Sequence, residues 1–105
     1  MNQYKKMLLA AATALFVSAP AVAETLRIGT EGAYPPFNQI DASGEVVGFD
    51  LDIAKALCAE MQVECTVVTS DWDGIIPALN NNKFDFLVAS MSITDKRLKK
   101  MDFSD

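Results

Sequence analysis

The sequence has 105 residues, 2 cysteines, no histidine and a formal charge of -5 from 9 basic and 14 acidic side chains. That length holds one domain at most. The acidic balance argues against nucleic acid or an anionic membrane surface as partner, and two cysteines without histidine leave too few ligands for a structural zinc site.

The N-terminus is unlike the rest. Lys5 and Lys6 precede an apolar run from Met7 to Val17, and SAPAVA follows, with small residues at Ala21 and Ala23. This is the charged n-region, short h-region and A-x-A site of a secretory signal peptide. The run is shorter than the roughly 20 apolar residues a membrane span requires. Residues 1–23 are therefore expected to be a signal peptide cut between Ala23 and Glu24, with no stable membrane insertion afterwards. Removing Lys5 and Lys6 leaves 7 basic and 14 acidic residues, so the charge becomes -7 over residues 24–105. In an oxidising compartment the lone pair Cys58 and Cys65 suggests a disulfide, two free buried thiols being the alternative. Closing so short a loop would stabilise the fold by about 2–3 kcal/mol.

Along the exported chain, TLRIGT (Thr25 to Thr30) alternates and ends beyond a glycine, as a strand does. EGAYPPFNQI reads as a loop held extended by Pro35 and Pro36. NQI and VVGF flank DASGE and predict a small hairpin. Asp50 is the expected N-cap of a helix from Leu51 to about Met61, with Ile53, Ala54, Leu57, Cys58 and Met61 on its buried face. ECTVVTS (Glu64 to Ser70) is a second strand, β-branched through its middle. Ser70-Asp71-Trp72-Asp73 has the form of a capping box before a helix from Trp72 to Leu79, which Pro77 should bend or tighten. FDFLVAS (Phe84 to Ser90) predicts a third strand, apolar enough to be covered on both faces. Thr94 can cap a last helix from Asp95 to about Met101. Strands alternating with helices predict an α/β fold with a parallel sheet, built from βαβ units plus the hairpin.

In open α/β sheets, ligands sit beyond the carboxyl ends of the strands. Glu31 and Tyr34 follow the first strand, Trp72 the second, and Ser90, Ser92, Thr94 and Arg97 the third. Arg97 can grip a carboxylate through two parallel N–H bonds, and amides near Ser92 and Thr94 at a helix start favour the same anion. Tyr34 and Trp72 can sandwich a flat or cationic side chain, and Glu31 can meet a distal positive charge. Singly, each residue has a plainer role: Arg97 lies in a charged run, Trp72 could simply pack, Glu31 could be merely exposed, and the serines could satisfy backbone. Their joint placement argues for a small zwitterion with a cationic tail, a basic amino acid. Nucleophile-elbow and phosphate-loop motifs are missing, and there is no histidine base, so enzyme signatures are thin and neither an enzyme nor a cofactor is expected, acid–base catalysis by Glu31 or Asp71 being the alternative.

On RIGTEGAYPPF, GEVVGFDLDIAKALC, the C-x6-C pair, DWDGIIPAL, KFDFLVASMSITDKR and MDFSD, residues 24–105 resemble the start of a family 3 extracellular solute-binding protein. These are periplasmic receptors of polar amino acid ABC transporters, and the likeness is to the lysine/arginine/ornithine, histidine and octopine branch. The resemblance implies a periplasmic binding protein-like (type II) fold, here an incomplete first lobe, and a disulfide between Cys58 and Cys65. It also implies a monomer that hands its ligand to a membrane permease. Arg97, helped by Ser92, would take the α-carboxylate, with Ser90 near the α-ammonium. Glu31 would meet the side-chain charge, and Tyr34 and Trp72 would stack on the stem. Ala89 stands where many such receptors have a serine, which widens the expected ligands to an opine or another arginine derivative. The chain stops before the expected crossover, so the second lobe and the returning segment lie outside it. A cyclohexadienyl dehydratase-type enzyme and a sensory input domain are the rival readings on the same fold.

Overall fold

A computed structural model describes residues 24–105, together with Ala14 alone before them. The proposed signal peptide and its cleavage site therefore fall outside the described residues. Two small sheets and three helices follow in chain order: β1 (Thr25–Thr30), β2 (Ala33–Tyr34), β3 (Asn38–Ile40), β4 (Val46–Val47), α1 (Phe49–Met61), β5 (Glu64–Thr69), α2 (Trp72–Asn80), β6 (Phe86–Leu87) and α3 (Asp95–Leu98).

The larger sheet is parallel, in the order β5-β1-β6. β1 pairs with β5 from Thr25 opposite Glu64 to Thr30 opposite Thr69. It pairs with β6 at Ile28–Phe86 and Gly29–Leu87. The α/β architecture expected from the alternating elements is thus present, with β1 at the centre. Alternation along β1 sends side chains to opposite faces. On one face Ile28 packs with Ala54 and Cys58 of α1, joined by Val63, Cys65, Phe86 and Val88. On the other, Ile75 of α2 packs with Phe84 and Ala89, joined by Val68, Trp72 and Leu87. Gly29 is required there, since a Cβ at that position would lie 2.5 Å from Phe84 Cδ2. Cys58 and Cys65 are joined by a disulfide, tying the last turn of α1 to β5.

The second sheet is antiparallel, in the order β2-β3-β4. The hairpin is present, and its turn is held by Asp41, whose Oδ1 accepts from Ser43 N, Ser43 Oγ and Glu45 N. These bonds, the Ser43 hydroxyl first, hold the Asp41 carboxyl below its usual range. The stretch expected to be only a loop adds the short strand β2, which pairs with β3.

Four local expectations require correction. Asp50 does not cap α1. Gly48 does, and the Phe49 and Asp50 amides are taken by the Pro36 and Phe37 carbonyls at 3.2 and 2.8 Å. Gly48 has φ 128°, and a Cβ there would meet Phe37 O at 2.5 Å. Secondly, the buried face of α1 is Leu51, Ala54 and Cys58, whereas Ile53, Leu57 and Met61 are 43–50 % exposed. Apolar residues surround most of this helix, so its pattern selects no single stripe, and the sheet beneath covers only one. Thirdly, the capping box does not form. α2 has Asp71 as N-cap without a side-chain cap bond. Finally, the third strand is shorter than FDFLVAS. Its bonds to β1 begin with Asp85 N donating to Arg27 O and end with Val88 N donating to Gly29 O. Ser90 then takes φ 49°, a left-handed conformation uncommon for serine that turns the chain away from the sheet.

Candidate functional site

The parallel pairing ends β1, β5 and β6 at one edge, so the segments after them meet there. Glu31, Ala33 and Tyr34 (after β1), Trp72 (after β5) and Ser90, Ser92 and Arg97 (after β6) line a cleft of about 400 Å³. Six of the seven rim residues named from the sequence thus share one hollow, and Thr94 does not line it. A larger hollow of about 730 Å³ lies on the other side of Arg97, between α2 and α3. It includes Ser92, Thr94 and Arg97 but none of Glu31, Tyr34, Trp72 or Ser90. The smaller cleft is the better candidate because only it combines an acid, two aromatics, hydroxyls and a guanidinium.

Arg97 is held from two directions. Its Nη1 donates to the Ser92 carbonyl oxygen and to Ser92 Oγ, both at 2.9 Å. Its guanidinium carbon lies over the Trp72 ring, 5.5 Å from the centroid. Thr94 caps α3 as expected, Oγ1 accepting from Arg97 N at 3.2 Å. The helix is only four residues long and stops at Leu98 rather than near Met101, so the guanidinium is the main anion donor here, not a helix dipole. Among the described residues no carboxylate forms an ion pair with Arg97, and both its side-chain bonds leave from Nη1. The remaining guanidinium N–H groups are therefore available for an incoming anion.

Tyr34 is exposed and packs at 4.9 Å, tilted by 38°, against Phe37. The turn between them is closed by Phe37 N donating to Tyr34 O at 2.9 Å. Trp72 is half-buried and also belongs to the core under α2, so its packing role and its place in the cleft coexist. Ala89 is 3 % exposed and faces that core, not the cleft. No group of three or more His, Cys, Asp or Glu among the described residues is placed to hold a metal ion.

Sequence reasoning missed two residues. Ser90 Oγ donates to Asp50 Oδ1 at 2.7 Å, and Asn38 Nδ2 donates to Asp50 Oδ2 at 2.9 Å. Asn38 Oδ1 in turn accepts from Gly32 N at 2.7 Å. Asp50 and Asn38 are buried behind the cleft and link two of its walls. Asp50 looked like a helix cap in the sequence, and nothing local distinguishes a capping aspartate from one whose cap position is filled by loop carbonyls.

A profile of the bacterial extracellular solute-binding proteins, family 3, matches residues 26–105. The chain belongs to this family. Among its family 3 relatives, the lysine/arginine/ornithine-binding periplasmic protein of Escherichia coli (strain K12) is 51% identical over 85 residues, covering 81% of this chain and 33% of that protein. The octopine-binding periplasmic protein of Rhizobium meliloti is 46% identical over 94 residues, covering 87% and 32%. The chain thus spans about a third of the length of these relatives. Of solved structures, the ancestral amino acid-binding protein AncCDT-1, described as a precursor of cyclohexadienyl dehydratase, superposes with a TM-score of 0.74 at 52% identity, covering 77% of this chain and 36% of that one. Domain 1 of TmArgBP in its arginine-bound form gives a TM-score of 0.74 at 40% identity, covering 77% and 64%. The curated relatives are periplasmic binding proteins.

Proposed function

We propose that residues 24–105 are the first part of lobe one of a two-lobe periplasmic receptor. The receptor captures a basic amino acid or an opine-like derivative and delivers it to the permease of an ABC transporter, without chemistry. The observation that carries this reading is the shared cleft of Glu31, Tyr34, Trp72, Ser90, Ser92 and Arg97. Arg97, oriented by Ser92 and stacked on Trp72, takes the α-carboxylate. Ser90 meets the α-ammonium, Tyr34 and Trp72 flank the side-chain stem, and Glu31 meets its distal positive charge. Charge-assisted bonds of this kind contribute roughly 1.5–3 kcal/mol each. Closure of a second lobe over the occupied cleft is the change a permease reads. An arginine-bound single domain among the structural neighbours supports giving the first lobe a large share of the contacts. Residues 1–23 direct export and are removed.

A thermal-shift panel on the full-length protein tests this. Arginine, ornithine, lysine, histidine and octopine should raise the melting temperature more than glutamate, and a preference for glutamate would overturn the assignment. The description of one neighbour as a dehydratase precursor supports a second reading, an enzyme on the same fold. Turnover of arogenate or prephenate by the full-length protein would favour it.

A further inference from the structure

Asp50 is the one buried charged side chain among the described residues, 4 % exposed in the first turn of α1. It neither caps the helix nor pairs with a base. Its two oxygens are divided instead: Oδ1 accepts from Ser90 Oγ and Oδ2 from Asn38 Nδ2, and Asn38 Oδ1 accepts from Gly32 N. Two acceptors at Asp50 set every direction in this chain of bonds. The Asn38 amide must point its NH2 group at Asp50, which leaves its oxygen for the loop after β1. The Ser90 hydroxyl has one proton, and Asp50 holds it.

We propose that Asp50 is a positioning residue of the ligand site. It turns Ser90 into an acceptor toward the cleft and, through Asn38 and Gly32, fixes the loop that carries Glu31. The proposal rests on the amino acid receptor reading above. With its proton committed, Ser90 offers the cleft only lone pairs, which suit an ammonium that has donors alone. Asp50 thereby selects for an α-ammonium although it does not touch the ligand.

The test compares full-length wild type with D50N and the charge-conserving swap N38D/D50N. D50N provides one acceptor where two are needed, so either two amide NH2 groups oppose each other or the Ser90 bond reverses. In the swap, the carboxylate at position 38 accepts from Gly32 and from the amide at position 50, whose oxygen again accepts from Ser90. Calorimetry with L-arginine and with its α-hydroxy analogue reads the site, and amide exchange at Gly32 without ligand reads the loop. D50N should bind arginine about tenfold more weakly, lose less toward the hydroxy analogue, and exchange the Gly32 amide faster. The swap should recover all three. Wild-type affinity and Gly32 protection in D50N would overturn the proposal, as would a folded swap that binds arginine no better than D50N. If D50N fails to fold, the swap decides alone: near wild-type affinity supports the role, and a folded swap without affinity removes it. Should wild type bind neither compound, the receptor reading and the selection for an ammonium fail together, while Gly32 exchange still decides whether Asp50 holds the loop.

Discussion

The Arg97 guanidinium lies over the Trp72 ring, 5.5 Å from its centroid, while Nη1 is fixed by two bonds to Ser92. The stack and the bonds hold the fork in one orientation before any ligand arrives. Such preorganisation lowers the ordering cost of binding.

For Arg97 the expected outcome is a loss of about tenfold or more in amino acid affinity on Arg97→Ala in the full-length protein. Arg97→Lys should recover only part, because an ammonium lacks the planar fork. Calorimetry with arginine checks both, and unchanged affinity in Arg97→Ala would reject the carboxylate role.

Gly29 and Phe84 form a tight contact at the centre of the sheet. Gly29→Ala places a Cβ 2.5 Å from a ring atom of a side chain that is 2 % exposed. Overpacking of this kind costs about 1–3 kcal/mol. Urea unfolding should show that loss, and a smaller one in a Phe84→Leu background, since the two sites share the strain.

Asp85 anchors the start of β6 to β1. Its Oδ2 accepts from Arg27 N at 2.7 Å and from Arg27 Nε at 3.3 Å, and Oδ1 accepts from Arg27 Nη2 at 3.2 Å. The Arg27 side-chain bonds first, then its backbone N–H, lower the Asp85 pKa from the ordinary 3.8. A depressed carboxyl contributes stability that is fully present above its unfolded value and lost as pH falls through the folded one. Asp85→Asn should therefore lower the melting temperature most above about pH 5, with the difference shrinking toward acid. Some acid sensitivity should persist, because Asp41 is lowered in the same sense.

The Cys58–Cys65 bond closes a short loop between α1 and β5. Its reduction should cost about 2–3 kcal/mol by the loop-entropy estimate. Comparing urea unfolding of the oxidised and reduced wild type measures this without the cavity that replacing buried Cys58 would leave. Equal midpoints would contradict it.

Much of the site was legible because one rule needed only element order: parallel strands deliver their carboxyl ends to one edge. Glu31, Trp72 and Arg97 are far apart in sequence, yet each lies in the segment that comes after a strand which spacing and alternation reveal: Glu31 next to β1, Trp72 at the start of α2 after β5, and Arg97 in α3 after β6. The covered stripe of α1 was only partly legible: Ala54 and Cys58 are buried as expected, but Ile53 and Leu57 are as apolar as the buried Leu51, and only the sheet decides which are covered. The end of β6 was also hidden, because Ser90 carries no glycine-like mark of its left-handed backbone.

The sequence by itself determined the alternation of strands and helices, the thiol pair and most of the residues that line the cleft, because these follow from local periodicity, element order and residue chemistry. Only the tertiary structure decided the part of Asp50. Its role depends on loop carbonyls from Pro36 and Phe37 filling the helix start and on Ser90 arriving from forty residues away. A hydrogen bond of that kind is fixed by the meeting of distant backbones, which no local pattern encodes.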